Sequence, residues 1–253
     1  TDGADNVERW LDVREASTNE PCAFMRAEHD FSYYSNGWAR ARKPRRVQGV
    51  SDVKGLPLVD FGTFGAINTT AAWLPWRKAD GTRGALTNIR AVFAVAAYPD
   101  SNGFLISDWD YTDPGGETNT VGTGHFWLGS EAQEKRYFCL FHKIVSEAFK
   151  GRTYINGVHV DSISRVPDAL GHVLAVITPA PLTAANFFNG RNLDGYGGTF
   201  PHIGGGRVGE LLVYTNVVSE PQRMAIESYL MRKWRRGGQV GQIRGVGFKI
   251  VDG

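Results

Sequence analysis

A chain of 253 residues with 42% hydrophobic and 21% charged side chains has the composition of an ordinary soluble globule with enough length for one large core. Its longest apolar run, near residues 91–98, is strand-sized and well short of the roughly 20 residues a membrane helix needs, so membrane insertion is not expected. The 28 basic and 26 acidic side chains leave a net charge of +2, which creates no global field to gather nucleic acid, and nucleic acid is not an expected partner.

In chain order, the first ten residues, TDGADNVERW, lack a charged start followed by an apolar core, the pattern of a secretory leader. A basic run, RARKPRR at 40–46, has the composition of a solvated loop. The segments IRAVFAVAA (89–97), GFLIS (103–107), KRYFCLFH (135–142) and HVLAVIT (172–178) are short and rich in β-branched and aromatic residues, as strands are. Turn signals separate them: YPDSNG, DPGGE, INGV, TPAPL and DGYGG. Many short strands with 31 glycines and no fixed repeat predict an all-β sandwich or barrel rather than alternating β/α units. The clearest hairpin pairs 153–155 with 158–160 around Asn156-Gly157, a dipeptide that accepts the positive φ of a type I′ turn. Cys22 and Cys139 are too few for a metal cage. Cys139 reads as a buried free thiol, pairing of the two stays open, and the redox compartment stays open with it.

The chain then runs through an apolar strand at 207–214 into one helix. Ser219 is placed as N-cap with Gln222 as capping-box partner, and Pro221 is tolerated in the first turn because its missing N–H would be unpaired there. Ile226, Leu230 and Trp234 recur at four-residue spacing with Tyr229 beside them, forming one apolar stripe that must pack on the sheet. Gly237-Gly238 is the expected stop, and RKWRR at 232–236 places cations at the negative end of the helix dipole.

These last segments carry a resemblance. The strand RVGELLVYTNVVS followed by EPQRMAIESYLMRKW is similar to the terminal signature of the concanavalin A-like superfamily, in its bacterial LamG-like (laminin G type) branch. The matching positions are Gly206, Val208, Glu210, 211–214, Ser219, Tyr229, Leu230, Lys233 and Trp234, while Val218 and Gln222 depart from the usual Leu and Glu. TYINGVHVD, ERWLDVREAS (8–17) and GLPLVDFG (55–62) resemble other strands of that family, so the likeness spans about 8–234. It implies a two-sheet antiparallel jelly-roll sandwich with one C-terminal amphipathic helix, a domain over 1–236, and a tail at 237–253 leading to a neighbouring domain. An extracellular or cell-surface location is implied with it. The fold carries lectins, adhesion modules and glycan-cleaving enzymes alike, so it does not fix function.

Retaining glycosidases on this fold need two carboxylates roughly 5 Å apart. The nearest approach is EHDFSYY, where Glu28 and Asp30 are followed by Ser32 and Tyr33 in place of the second Glu, so no catalytic residue is assigned and the chain is not expected to be an enzyme. GGGRVG contains a formal GxGxxG at Gly204, Gly206 and Gly209, but it precedes a strand, whereas a dinucleotide site follows one. His125, His142 and His172 fall on or beside strands, where a structural histidine is the ordinary reading.

Sugars present apolar C–H faces ringed by hydroxyls, so aromatic planes beside polar turn residues are the expected binding groups. Trp76 and Trp109, flanked by polar turn residues, lead the candidates, with Tyr111, Trp73 and Trp127 beside them. Core or edge-strand packing is the competing reading for Trp73 and Trp127. In DWDYTDPGGE, Asp108, Asp110 and Asp113 offer hard oxygen ligands of the kind Ca²⁺ takes, and the resemblance implies a structural Ca²⁺ in many members; an ordinary turn is the alternative. The expected function is a non-catalytic glycan-binding module whose partner is a carbohydrate. The alternatives are an adhesion module contacting a surface protein without sugar affinity, or a glycan-cleaving enzyme.

Overall fold

The computed structural model describes residues 9–11, 24–26, 28–29, 44–48, 53–60, 72–82, 84–97, 106–107, 151–161, 172–184, 186–187, 191–193, 199–201, 207–235 and 248–251. Its elements are β1 (Arg9–Leu11), β2 (Phe24–Arg26), β3 (Glu28–His29), β4 (Arg45–Val47), β5 (Leu58–Asp60), β6 (Ala72–Arg77), β7 (Leu86–Ala97), β8 (Ile106–Ser107), β9 (Arg152–Ile155), β10 (Val158–Val160), β11 (His172–Ala184), β12 (Asn186–Phe187), β13 (Arg191–Leu193), β14 (Thr199–Pro201), β15 (Arg207–Tyr214), α1 (Glu220–Trp234) and β16 (Phe248–Val251). The chain is mostly antiparallel β-sheet with one helix among the described residues, as the turn-rich, β-branched sequence predicts.

An eight-stranded sheet has the order β10-β9-β11-β7-β15-β5-β4, with β16 also on β15; a second sheet runs β1-β2-β6-β12-β8 with β3 on β6; β13 and β14 pair separately. β16 joins β15 in parallel, Leu211 opposite Phe248 to Tyr214 opposite Val251, so part of the stretch expected to lead away as a tail returns to the sheet.

The centre of the large sheet is covered on both faces. One face carries Phe93, Val95, Ala175, Tyr154 and Leu212, which form a core with Leu230 and Trp234 of α1. The other carries Val92, Ala94, Leu174, Val176, Leu211 and Val213, all at most 4% exposed. Such continuous burial explains why 89–97 and 172–178 read as unbroken apolar runs rather than alternating ones.

β7 and β11 bend together where Thr178 to Pro181 bulge out against Arg90, and the register jumps from Ile177–Ala91 to Leu182–Ile89. The Thr178 hydroxyl donates towards the carbonyls of Ile89 and Arg90 at 3.3 and 3.2 Å, and Asn88 takes a left-handed φ of 59°. Such a bulge bends a strand and strengthens its twist. Past the bend, β11 runs on into β12 of the second sheet, and β7 is fed from β6 of that sheet.

The Asn156-Gly157 hairpin forms as predicted, with φ of 52° and 83° and Ile155 opposite Val158. Asn156 also accepts the Val173 N–H on Oδ1 at 3.0 Å, which ties the turn to β11.

Ser219 starts α1, with its N–H and hydroxyl both donating to Gln222 Oε1 at 2.8 Å and its carbonyl accepting the Arg223 N–H. The helix ends at Trp234 with Arg235 extended, two residues before the expected glycine stop. It crosses the sheet diagonally. Arg223 near its start lies over Tyr154 of β9, and Trp234 at its end lies on Gly209 of β15.

Candidate functional site

The sequence-predicted binding residues divide sharply. Trp109, Tyr111, Trp127 and the acidic trio Asp108, Asp110 and Asp113 lie outside the described residues. Trp73 sits on β6 in register with Glu28 of β3, the residue singled out from EHDFSYY.

Trp76 differs from expectation. It was placed among polar turn residues as an exposed plane, but it closes β6 opposite Met25 and is only 6% exposed. The polar turn begins two residues later. Lys78 N–H donates to the Thr82 carbonyl, and the Asp80 carboxylate accepts from the Thr82 N–H and hydroxyl at 2.8 and 2.6 Å. The Thr82 hydroxyl, seconded by its N–H, holds the Asp80 carboxyl below the usual range. The turn folds the chain back so that the Gly84 N–H reaches the Trp76 carbonyl at 3.2 Å, and a Cβ on Gly84 would lie 3.5 Å from the indole. A covered indole presents no stacking face to a sugar.

Buried charge concentrates instead where α1 meets the sheet. Glu210, 6% exposed, accepts on Oε2 from the Lys233 ammonium at 2.8 Å and from the Trp234 indole N–H at 2.6 Å. The Tyr229 hydroxyl lies 3.4 Å from its other oxygen and 3.3 Å from Lys233. Burial first, and then the Glu210 charge, pushes the Tyr229 and Tyr214 phenols up from their ordinary range. Every member of this cluster, Tyr214 included, belongs to the terminal signature; the sequence had not shown that they touch.

A second cluster escaped the sequence reading. Arg223, 4% exposed, stacks 3.7 Å above the Tyr154 ring and pairs with Glu220 and with the fully buried Glu227. Burial pushes the Glu227 carboxyl up despite the Arg223 charge, whereas the hydrogen bond from Arg223 pulls the exposed Glu220 down. The i, i+4 spacing of Arg223 and Glu227 was the available signal, but such pairs are usually solvated and worth little.

Chemically these clusters hold a helix on a sheet. Glu210 Oε2 accepts from an ammonium and an indole N–H at once, and Glu227 Oε2 pairs with the guanidinium beside it. Of the glycines in GGGRVG, Gly209 has a structural reason: it is inside β15, where a Cβ would stand 2.6 Å from Trp234 Cζ3. Its missing side chain makes room for the indole. Among the described residues no group of three or more His, Cys, Asp or Glu side chains is placed to hold a metal ion, and no helix is long and apolar enough to cross a membrane. Comparison of the chain with protein-family models, curated proteins and solved structures gave no match.

Proposed function

We propose that this chain is a LamG-like, two-sheet jelly-roll module that binds carbohydrate without catalysis, at the cell surface or outside the cell. The observation that carries the reading is the mutual contact of Glu210, Tyr229, Lys233 and Trp234 at the helix–sheet junction. These are the residues on which the resemblance rests, and a shared structural task is the physical reason such a set would recur together. The Asn156-Gly157 hairpin, a second element of the resemblance, supports the same reading.

In this reading α1 seals one face of the large sheet, and binding falls to Trp73 on β6 and to the aromatic residues that follow β8 in sequence. Trp73 with Glu28 across from it, and Trp109 and Tyr111 in the acidic turn, supply the aromatic and hydrogen-bonding groups a sugar needs. Asp108, Asp110 and Asp113 would supply oxygen ligands to Ca²⁺.

The test is a glycan array on the whole chain, run with calcium and again with chelator, with Trp109→Ala beside the parent. Binding that weakens by about 1–3 kcal/mol in the variant, without unfolding it, is the expected result. Silence across the array overturns the reading in favour of a structural or adhesion module. The burial of Trp76 is the observation that favours that second reading, since it removes one sugar platform.

A further inference from the structure

The chain beyond α1 comes back to the strand that led into the helix. On one side β15 pairs with β7 from Arg207 opposite Ala97 to Tyr214 opposite Ala91, with one register shift. On the other side β5 reaches only Arg207 and Val208, and β16 takes up that side from Leu211 to Tyr214. The β15–β16 join is parallel, which requires a crossover, and α1 with the residues after it supplies one. Without β16, the row of N–H and C=O groups that β15 turns away from β7 would be an open edge, a template for any extended strand.

Two features set β16 apart from the strands around it. Among the described residues it pairs with β15 alone, so its departure breaks one four-residue ladder and leaves every other pairing in place. Its connection also has length to spare. Trp234 is seated on Gly209, two residues from Leu211 along β15, so the gap to the strand position beside Leu211 is on the order of 10–15 Å. The connecting stretch RGGQVGQIRGVG, 236–247, can reach roughly 40 Å when extended.

We infer that Phe248–Val251 is a detachable strap on a strand-addition site, the β15 edge at Leu211–Tyr214, and that the same segment of a second copy of this chain takes the site when the resident strap leaves. Main-chain hydrogen bonds supply the affinity in such strand addition, whichever chain the strand comes from. A second copy carries an identical segment with an identical register, so exchange requires no new interface. Tethering gives the resident strap an effective concentration of about millimolar, so each chain closes on itself when dilute. Exchange sets in where copies are crowded to that range. None of this depends on which ligand the module takes.

The first measurement uses the unaltered chain: hydrogen exchange read by mass spectrometry in dilute solution. The amides of 248–251 are expected to exchange roughly tenfold or more slower than those of an unstructured peptide, and roughly tenfold or more faster than those of β7 at 92–95. Unprotected amides at 248–251 overturn the strap, and protection equal to that of β7 overturns its detachment. The second measurement follows a labelled synthetic peptide, GVGFKIVDG (245–253), binding to the parent and to Ile250→Pro, in which the proline removes a ladder N–H. A melting curve confirms that the variant folds; if it does not, the exchange experiment decides alone. The peptide should bind the variant roughly tenfold or more tighter than the parent, which carries its own competitor. Light scattering should show the parent turning from monomer to dimer as its concentration approaches about 1 mM. Equal binding to both proteins, no binding to a folded variant, equal binding of a scrambled peptide, or a parent that stays monomeric throughout each overturns the inference.

Discussion

Removing the Trp234 indole tests how α1 is held. The side chain is 1% exposed, rests on the bare backbone of Gly209 and donates its N–H to the buried Glu210 carboxylate. Trp234→Ala opens a cavity that costs about 3–5 kcal/mol, with the upper end expected because Glu210 also loses a donor. Gly209→Ala attacks the same contact from the other side: its Cβ would stand 2.6 and 2.7 Å from two ring atoms of the indole, closer than such atoms approach. That overpacking costs about 1–3 kcal/mol. In the double variant the new methyl occupies space the indole has left, so the combined loss falls short of the sum by about 1 kcal/mol or more. Urea unfolding followed by far-ultraviolet circular dichroism is the suitable assay, because seven tryptophans complicate fluorescence. On heating, each kcal/mol lowers Tm by roughly 2–4 °C. Additive losses, or a Trp234→Ala protein that unfolds with the parent, would refute the packing described here.

Trp76→Ala is expected to destabilise by about 3–5 kcal/mol and to leave sugar affinity unchanged in whatever folded protein remains; a stable variant with weakened binding would reverse the assignment. Alkaline stability follows from Tyr214 and Tyr229, both raised above the ordinary 10.0 by burial and then by Glu210. The native state keeps protons that the unfolded chain releases near 10.0, so their contribution is fully present below that pH and is lost as pH rises through the raised values. Replacing both by Phe should flatten the alkaline limb of a stability–pH curve, and an unchanged limb would count against it. Gly157→Ala, at a φ of 83° with only Met231 nearby at 3.7 Å, should cost about 1–2 kcal/mol through backbone conformation alone. A neutral substitution would mean that the turn is not held in that conformation.

Local chemistry was legible wherever a few neighbouring residues decide the outcome. Asn156-Gly157 prefers a primed turn whatever surrounds it, and Ser219, Pro221 and Gln222 mark a helix start through groups within one turn of each other. The runs at 89–97 and 172–178 are apolar enough to be strands in any context. The helix end was less legible: Gly237-Gly238 is a strong stop, yet Arg235 already leaves the helix once Trp234 is seated.

Tertiary structure decided the rest, because it depends on which distant segments pair. WLPWRKADGTRG has the same polar flanks whether Trp76 faces water or core; in the folded chain the indole is covered, with Gly84 of the returning turn beside it. Gly209 looked like part of a loose glycine motif until α1 laid an indole on it, and Arg223 with Glu227 reads as a solvated helical pair until the helix turns that stripe onto Tyr154. Arg207 meets Asp60, and Lys54 the last turn of the helix, only because β5 pairs with β15. Period and propensity act over a turn or a strand, whereas burial and charge concentration are set by contacts between segments well over a hundred residues apart.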